Sequence, residues 1–375
     1  MSNRRSAPGT LSLSVGGGTA PAQKSPDGLA AMQLLDVPNC PVDGSPGPVK
    51  HAGVCDAYFG TQGRWRYRQH DRNGHLWLDP RPDGASIGAL YTRYYTHAAK
   101  EPVETAGVWQ QAIRLALSNR LGYPRPEKTG GLARLVSRLP SVGAAAELEV
   151  MRIPASETGR MLDVGCGSGA FLQRMRGAGW SVVGTEPDDN AAARLASERG
   201  FPIYGSLAEL IQVGERGFDV IVLSHVIEHL PDPAHTLNSL RGMLAAGGRL
   251  VLTTPNALSL GSRIFRASWR GLEPPRHFNI FSPDSVCEIL RRAGFEVERV
   301  TTEVRLARGI WFLSYLARSG RTEIEIKRSS GHRLLKLAGY AFQLVEAGAV
   351  TLMPTLGEEI FCVATAPGTA GRVES

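Results

Sequence analysis

The sequence predicts an α/β fold built on a doubly wound, Rossmann-like parallel sheet, and three observations support this. From residue 160 onward, apolar runs alternate with helical stretches. Two of those runs, "FDVIVLS" and "GRLVLTTP", are rich in Val, Leu and Ile, as strands buried on both faces are. A glycine-rich turn, "VGCGSG", follows an earlier apolar run, "RMLD", and leads into the first helix of this region. Such alternation is typical of a parallel sheet covered by helices.

The elements of this sheet follow one another in a regular order. "RMLDVG" predicts a strand, "AFLQRMRGAG" a helix closed by Gly179, and "SVVGTE" a second strand. "DDNAAARLASERG" predicts a helix that has an aspartate cap and ends at Gly200. Upstream, residues 101–150 contain helical stretches such as "VWQQAIRLALSNRLG". Residues 38–98 contain short strand-like runs, "RWRYRQ" and "HLWLDP", among many aromatic, Gly and Pro residues.

The composition of the 375-residue chain is that of an ordinary soluble protein, with 42% hydrophobic and 21% charged residues. The net charge is +7, but Lys and Arg are scattered, so we expect no specific nucleic-acid partner. Five cysteines without a framework pattern predict reduced thiols in a cytoplasmic protein. The sequence contains no run of eighteen uninterrupted apolar residues, so it predicts no membrane-spanning helix.

The glycine-rich turn fits two cofactors. Gly165-x-Gly167-x-x-Ala170 satisfies the loose dinucleotide fingerprint, and Glu186 lies where a ribose-binding carboxylate is expected. Glycines at such a turn let the backbone approach a ligand closely, and the following helix presents free N–H groups. On this pattern alone, a dinucleotide and S-adenosylmethionine are both candidates.

The longer string Asp163-x-Gly165-x-Gly167-x-Gly169 resembles the first motif of class I S-adenosylmethionine-dependent methyltransferases. In that family the acid helps to hold the methionine end, and ordinary dinucleotide turns lack it. Later segments agree in order and spacing, so the resemblance covers 155–303 and 357–367. It implies a seven-stranded methyltransferase sheet and S-adenosylmethionine as cofactor. The binding residues that it implies are Asp163, Gly165, Cys166, Gly167, Gly169, Glu186, Ser224 and His225.

The same resemblance divides the chain into segments. We expect, in order, a disordered tail over 1–37, a degenerate zinc-ribbon-like segment over 38–98, a helical linker or cap over 99–154, the cofactor-binding core over 155–303, a helical insertion over 304–356, the last core strand over 357–367 and a tail over 368–375.

One short string suggests a different chemistry. His225-Val-Ile-Glu228-His229 matches the H-x-x-E-H signature of inverted zinc proteases. It follows a buried strand, at the edge where the cofactor crevice is expected. Pro231 and Pro233 leave no room for a long zinc-binding helix. The surroundings therefore argue against a protease, and we predict no metal site.

Residues 38–98 resemble the zinc-ribbon segment that precedes the core in some bacterial methyltransferases. The four ligand positions of its two knuckles hold Cys40, Asp43, His70 and Asn73, and asparagine is a poor zinc ligand. We therefore expect a metal-free relic, and zinc binding that uses His51 or Cys55 is the alternative. The aromatic residues expected to hold this segment together are Tyr58, Trp65, Tyr67 and Trp77.

Methyl transfer needs alignment of donor and acceptor and removal of a proton, for which histidine is well suited. The candidate catalytic residues are His277, His229 and Glu228. The resemblance places His277 in a loop, "EPPRHFNIF", that covers the substrate side, and Arg276 is expected to hold an acidic group of the acceptor. We interpret His225 as a binding residue. A solvated or capping role for Glu228 and His229, and a structural role for His277, are the alternatives.

The resemblance implies an enzyme that methylates a small molecule, favouring an oxygen of a sugar, polyketide, quinol or other secondary metabolite. Exocyclic nitrogen is disfavoured, because enzymes for that chemistry carry Asn/Asp-Pro-Pro-Tyr after the fourth strand and this chain does not. Two alternatives stay open. One is sugar C-methylation, since the zinc-ribbon front also occurs beside that activity. The other is a non-catalytic partner subunit that binds S-adenosylmethionine.

Apolar residues recur at helical spacing in 332–353, whereas Arg333, Lys336, Gln343 and Glu346 fall elsewhere. We expect a helix whose apolar face packs on the domain or on the helices of 101–150. A lid over the acceptor site, a dimer face and a peripheral membrane contact are the alternatives.

Overall fold

The computed structural model describes residues 32–87, 90, 107–320 and 332–367. The strands of this part of the chain are β1 Leu34–Leu35, β2 Val49–Val54, β3 Trp65–Gln69, β4 Leu76–Leu78, β5 Arg81–Pro82, β6 Arg160–Val164, β7 Ser181–Thr185, β8 Ile203–Tyr204, β9 Phe218–Ser224, β10 Leu244–Pro255, β11 Asn279–Ile280, β12 Glu296–Glu303 and β13 Glu359–Thr365. Its α-helices are α1 Gly84–Ile87, α2 Val108–Leu121, α3 Gly131–Val136, α4 Pro140–Glu149, α5 Ala170–Gly177, α6 Asp189–Arg199, α7 Leu207–Gln212, α8 Pro233–Arg241, α9 Leu260–Phe265, α10 Pro283–Arg292, α11 Ala307–Ser319 and α12 His332–Leu352.

The predicted doubly wound sheet is confirmed. Seven strands lie in the order β12-β13-β10-β9-β6-β7-β8. Strands β8, β7, β6, β9 and β10 run parallel to one another, and β13 is antiparallel to both β10 and β12. Side chains on both faces of β9 are fully buried, as its continuous apolar run predicts. The turns after β6, β7 and β9 therefore meet at one edge of the sheet.

Local signals set the ends of the flanking helices. The carboxylate of Asp188 accepts a hydrogen bond from the N–H of Ala191 at 2.8 Å, which caps α6, and Gly200 ends that helix in the left-handed conformation. Pro233 opens α8, so only a short 3₁₀ turn, Ile227–His229, fits between β9 and α8. The long helix of a zinc protease is thus absent from this segment.

The N-terminal segment is joined to the core by a shared sheet. Strands β2, β3 and β4 form an antiparallel sheet whose fourth strand is β11, with Asn279 opposite Trp77 and Ile280 opposite Leu76. Trp65, Tyr67 and Trp77 are buried, as predicted, whereas Tyr58, the fourth expected member of the aromatic core, is only half-buried. Strand β1 pairs with β5, so the expected tail over 1–37 ends earlier than predicted. The rest of that tail (1–31), residues 91–106 and the tail from 368 lie outside the described residues.

The predicted zinc-ligand positions come together as a hydrogen-bonded cluster. Nε2 of His70 lies 3.0 Å from a carboxylate oxygen of Asp43. The side-chain amide of Asn73 donates instead to Glu288 of α10, at 3.0 Å. Burial raises the pKa of the Cys40 thiol to about 11, so this thiol is protonated at neutral pH. Asp43, His70 and Asn73 thus have hydrogen-bond partners within the protein, and the metal-free state of this segment stays a prediction.

The helical insertion packs differently from the prediction. Helix α12 lies on α11, where Gly339 and Phe342 face inward. The apolar residues expected to face the domain are exposed: Leu334, Leu337, Leu344, Val345 and Leu352. The expected inward orientation of this stripe is therefore wrong. Within the described residues, the structure contains no helix with both the length and the apolar character to cross a bilayer.

Candidate active site

The turn between β6 and α5 brings main-chain N–H groups to the carboxyl edge of the sheet. Gly165, Gly167 and Gly169 have φ values of 69°, 56° and 68°, a region that other residues adopt only with strain. A Cβ atom on Gly165 would lie 3.0 Å from Cγ2 of Val226, and one on Gly169 would lie 2.8 Å from Cδ2 of Leu195. Both the conformation and the packing therefore require glycine.

Glu186 closes this turn from the end of β7. Its side chain is buried, and its carboxylate accepts hydrogen bonds from the N–H of Gly167 at 2.9 Å and of Asp188 at 3.1 Å. Cys166 takes part through its main chain, whose N–H donates to the carbonyl of Thr185 at 2.9 Å. The carboxylate is thus fixed at the strand end where ribose recognition is predicted.

Asp163 and Ser224 line a cavity of about 230 Å³ beside the turn. Burial, and then the charge of Glu186, raise the pKa of Asp163 to about 8. A nearby positive charge would lower that pKa, so the site favours a cationic ligand. The remaining cavity walls come from the cap, from α5 and from the segment after β12: Leu148, Glu149, Met151, Ala170, Phe171, Arg174 and Arg305.

S-adenosylmethionine fits this set of residues. Its ribose hydroxyls need an acceptor such as the Glu186 carboxylate, and its positively charged methionine end suits Asp163. Asp163 would bind a proton at neutral pH beside an anionic pyrophosphate, whereas a cationic group beside it favours the ionised carboxylate, so the site suits S-adenosylmethionine better than a dinucleotide. The geometry therefore resolves the choice that the glycine pattern alone left open.

A network of four charged side chains lies at the end of β9. Nδ1 of His225 is 3.2 Å from Glu228, and its Nε2 is 2.8 Å from Glu359. Arg305 donates to the same oxygen of Glu359 at 2.7 Å. Burial alone would lower the pKa of His225, but the two carboxylates raise it to about 10. The ring is therefore protonated at neutral pH and is unsuited to act as a base. Of the two predicted cofactor contacts in this segment, Ser224 lines the cavity and His225 does not.

The three predicted catalytic residues come together. Glu228, His229 and His277 each offer a side-chain N or O atom, and these atoms lie within 4.8 Å of one another. Glu228 is fully buried and accepts a hydrogen bond from Thr254 at 2.9 Å. The solvated or capping role considered for Glu228 is therefore wrong. Burial would raise its pKa, but the hydrogen bond and charge of His225 hold that pKa below its ordinary value.

His277 is held as a neutral imidazole. Its Nδ1 lies 2.7 Å from the carbonyl oxygen of Gly271, so in the neutral ring Nδ1 donates and Nε2 carries the lone pair. Burial lowers the pKa of His277 to about 4. Nε2 lies 3.6 Å from a carboxylate oxygen of Glu273. Burial would raise the pKa of Glu273, but the charge of Arg270 and then other cations lower it to about 2. A proton accepted at Nε2 would thus have an ionised carboxylate beside it.

The N-terminal sheet anchors the loop that carries His277. The hydroxyl of Tyr67 donates to the carbonyls of Leu272 and His277, the latter at 2.9 Å. The N–H of Phe278 donates to the carbonyl of Glu228 at 2.8 Å, which ties this loop to the segment after β9. The degenerate ribbon is therefore part of the support of the candidate active site.

Arg276 does not have the role expected for it. Its guanidinium is fully buried, donates to Asp56 at 2.7 Å and to Glu273 at 3.2 Å, and lies 4.0 Å from the ring centroid of Phe59. Two carboxylates already balance its charge. The prediction that it holds an acidic group of the acceptor is therefore wrong, and its function is to fix the loop.

Glu228, His229 and His277 also form the one group in the described residues with the donor atoms of a metal site. One carboxylate and two imidazoles are a set that zinc accepts. However, both oxygens of Glu228 already have hydrogen-bond partners, Thr254 and the protonated His225. The absence of a metal here stays a prediction.

Sequence reasoning missed Glu359, Arg305, Glu273 and Tyr67. Glu359 and Arg305 reach the end of β9 only because β13 and β12 lie in the same sheet, and no local pattern marks that contact. The adjacent acids in "GEEIF" stand at the start of an otherwise apolar strand, and this was the one local sign that an acid such as Glu359 could belong to the site. Tyr67 was predicted as core, which is correct, but its hydroxyl contacts depend on β11.

The sequence profile of a methyltransferase domain matches residues 132–300. A ubiquinone biosynthesis O-methyltransferase of Cereibacter sphaeroides is 34% identical over 149 residues, which are 36% of this chain and 60% of that protein. A tRNA U34 carboxymethyltransferase of Methylococcus capsulatus is 32% identical over 148 residues, or 38% of this chain and 46% of that one. The chain thus spans less than two thirds of the length of these relatives.

Among solved structures, phosphoethanolamine N-methyltransferase 2 of Haemonchus contortus, in complex with S-adenosyl-L-methionine, is 16% identical. The match covers 78% of this chain and 63% of that one, with a TM-score of 0.42. The matched profile, the strand order and the glycine turn with its two acids agree with one another. Residues 132–300, a little under half of the chain, therefore match the methyltransferase domain family.

Proposed function

We propose that the protein transfers a methyl group from S-adenosylmethionine to an oxygen of a small-molecule acceptor. The acceptor classes that we favour are a sugar, a polyketide, a quinol or another hydroxylated secondary metabolite. The observation that carries the proposal is the neutral imidazole of His277, which lies with His229 and Glu228 in the segments that follow the cofactor-binding edge of the sheet.

Each part of the chain has a distinct task in this proposal. Glu186 and Asp163 bind and orient the cofactor, which supplies an electrophilic methyl group on a sulfonium. His277 accepts the proton of the acceptor hydroxyl as that oxygen bonds to the methyl carbon. Glu273 and Glu228 are ionised and buried, and both raise the pKa of His277 by their charge. They therefore stabilise the imidazolium as it forms.

Two further observations support oxygen as the acceptor atom. The chain is 34% identical to a protein named as an O-methyltransferase, over 60% of that protein. The segment after β9 reads Ser224-His225-Val226 rather than the Asn/Asp-Pro-Pro-Tyr that serves exocyclic nitrogen.

The five cysteines are free thiols, which supports a reducing compartment such as the cytoplasm.

The test is a screen of the purified protein with methyl-labelled S-adenosylmethionine against quinols, phenolic polyketides and sugar nucleotides. We expect label on an oxygen, located by fragmentation mass spectrometry, and loss of labelling in His277→Ala. Label on carbon would replace this proposal with sugar C-methylation. Cofactor binding by calorimetry without turnover of any acceptor would favour the non-catalytic partner subunit.

A further inference from the structure

The outward face of α12 is an apolar stripe without a partner in the described residues. Leu334, Leu337, Leu344 and Leu352 are 70%, 63%, 74% and 84% exposed, and Val345 lies beside them. From Leu334 to Leu352 the stripe is about 27 Å long at 1.5 Å per residue. Soluble proteins rarely expose a continuous apolar surface of this length unless it binds something.

The inward face shows that this orientation is specific. Gly339 packs so closely on α11 that a Cβ atom there would lie 3.0 Å from the side chain of Arg308. Gln343 donates to the carbonyl of Val304 at 3.0 Å. Glu346 is fully buried, and neither of its carboxylate oxygens has a hydrogen-bond partner. Burial and the neighbouring Glu358 raise the pKa of Glu346 to about 9, so it is uncharged at neutral pH.

Two basic side chains of the described residues border the stripe. Helix α12 carries the exposed Lys336 near its start, and the only acid of the helix, Glu346, is buried and neutral. Arg308 of α11 is exposed beside the stripe, with its guanidinium 4.5 Å from the ring centroid of Tyr340. Apolar side chains bordered by Lys, Arg and an aromatic ring are the pattern of helices that lie in an anionic lipid interface.

We propose that the protein docks on an anionic membrane surface through the outward face of α12, with the helix lying in the plane of the interface. A second copy of the chain is the less suitable occupant, because a twofold contact would pair the same basic surface with itself. Lipid phosphates complement Lys336 and Arg308, and the acyl boundary takes the leucines. The proposal holds for any acceptor of the methyl group.

The test is flotation of the full-length protein with vesicles of phosphatidylcholine alone and of phosphatidylcholine mixed with phosphatidylglycerol. We expect binding to the mixed vesicles, weakened by salt. The double variant Leu337→Ser/Leu344→Ser should lower the partition coefficient by about tenfold or more. Lys336→Glu should lower it on mixed vesicles severalfold.

The matched control is Leu132→Ser/Leu135→Ser, which removes two leucines exposed to similar extents, 61% and 63%, on helix α3 of the cap. It should float like the wild type. Cofactor binding by calorimetry shows whether each variant is folded, and Lys336→Glu provides a second reading should the leucine variant fail to fold. The proposal is overturned if the wild type stays unbound, if neither α12 variant lowers binding, or if the control loses binding equally. A concentration-dependent dimer that Leu337→Ser/Leu344→Ser dissociates, without vesicle binding, would assign the face to a second copy instead.

Discussion

The rings of His229 and His277 pack edge to face, with their centroids 4.7 Å apart. In each ring Nδ1 lies close to a main-chain carbonyl oxygen, that of Arg276 for His229, at 3.1 Å, and that of Gly271 for His277, at 2.7 Å. Both rings are thereby fixed in orientation. A pair of this kind can place a base against an acceptor without reorganisation during the reaction.

The first prediction concerns this pair. His277→Ala should lower turnover by about 10²–10⁴-fold, because it removes the proton acceptor. It should leave the affinity for S-adenosylmethionine unchanged, since His277 belongs neither to the glycine turn nor to the end of β7, where the cofactor is expected. Because the pKa of His277 is about 4, the wild-type rate should show no inflection from this group between about pH 6 and pH 8.

His229→Ala is the control for that prediction. A loss of the same size in His229→Ala, with His277→Ala near wild type, would transfer the role of base to His229. If neither variant slowed a saturated reaction at neutral pH, alignment alone would carry the catalysis.

The second prediction follows from the protonation state of Asp163. Its pKa of about 8 means that the free protein binds a proton there at pH 7. A cationic ligand favours the ionised form, so binding of S-adenosylmethionine should release close to one proton. Calorimetry at pH 7 in buffers of different ionisation enthalpy measures this number. Asp163→Asn should bind more weakly and lose the release; an unchanged proton count would show that Asp163 does not face the ligand charge.

The third prediction concerns Glu186. Glu186→Ala should weaken cofactor binding by about 1.5–3 kcal/mol, because it removes charge-assisted hydrogen bonds to the ribose and an acceptor for the N–H of Gly167. Titration calorimetry measures the change. Glu198→Ala, at an exposed position on the adjacent α6, is the control and should bind as the wild type does. Equal affinity in the two variants would contradict the assignment.

The fourth prediction tests whether the N-terminal sheet positions His277. Tyr67→Phe removes the donor to two carbonyls of the loop and should lower the free energy of unfolding by about 1–2 kcal/mol. It should also lower kcat severalfold while cofactor affinity stays the same.

Tyr123→Phe is the matched control, because its buried hydroxyl donates to the carbonyl of Ile153 in the cap, away from the loop. A similar loss of stability with unchanged kcat is expected there. Equal effects of the two variants on kcat would reduce Tyr67 to a purely structural residue.

Local patterns were sufficient to predict the cofactor side of the site. The strand, the glycines with positive φ and the acid at the end of β7 lie within about 25 residues of one another, and each has a conformational reason that the sequence displays. The hydrogen bond between His225 and Glu359 could not be predicted in this way, because the two residues are far apart in the sequence. It depends on β13 entering the sheet between β10 and β12.

Periodicity predicted the helix over His332–Leu352 and its apolar stripe. It did not predict that this stripe is exposed and that the opposite face packs on the protein. Hydrophobic spacing shows which residues share a face, and not which face meets the protein. Here the close approach at Gly339 and the bulk of Phe342 decide the packing. The burial of Glu228 was missed for a related reason, because its hydrogen-bond donor, Thr254, lies on another strand.

The pairing of β4 with β11 has a consequence for folding during translation. Leu76 and Trp77 meet Ile280 and Asn279, which leave the ribosome about two hundred residues later. At about 5–20 residues per second, the edge of β4 stays unpaired for roughly 10–40 s while the polypeptide grows. Its apolar side chains, fully buried in the finished protein, are open to misassociation during that interval. Fragments that stop before residue 279 keep that edge permanently, so we expect them to aggregate where the complete chain folds.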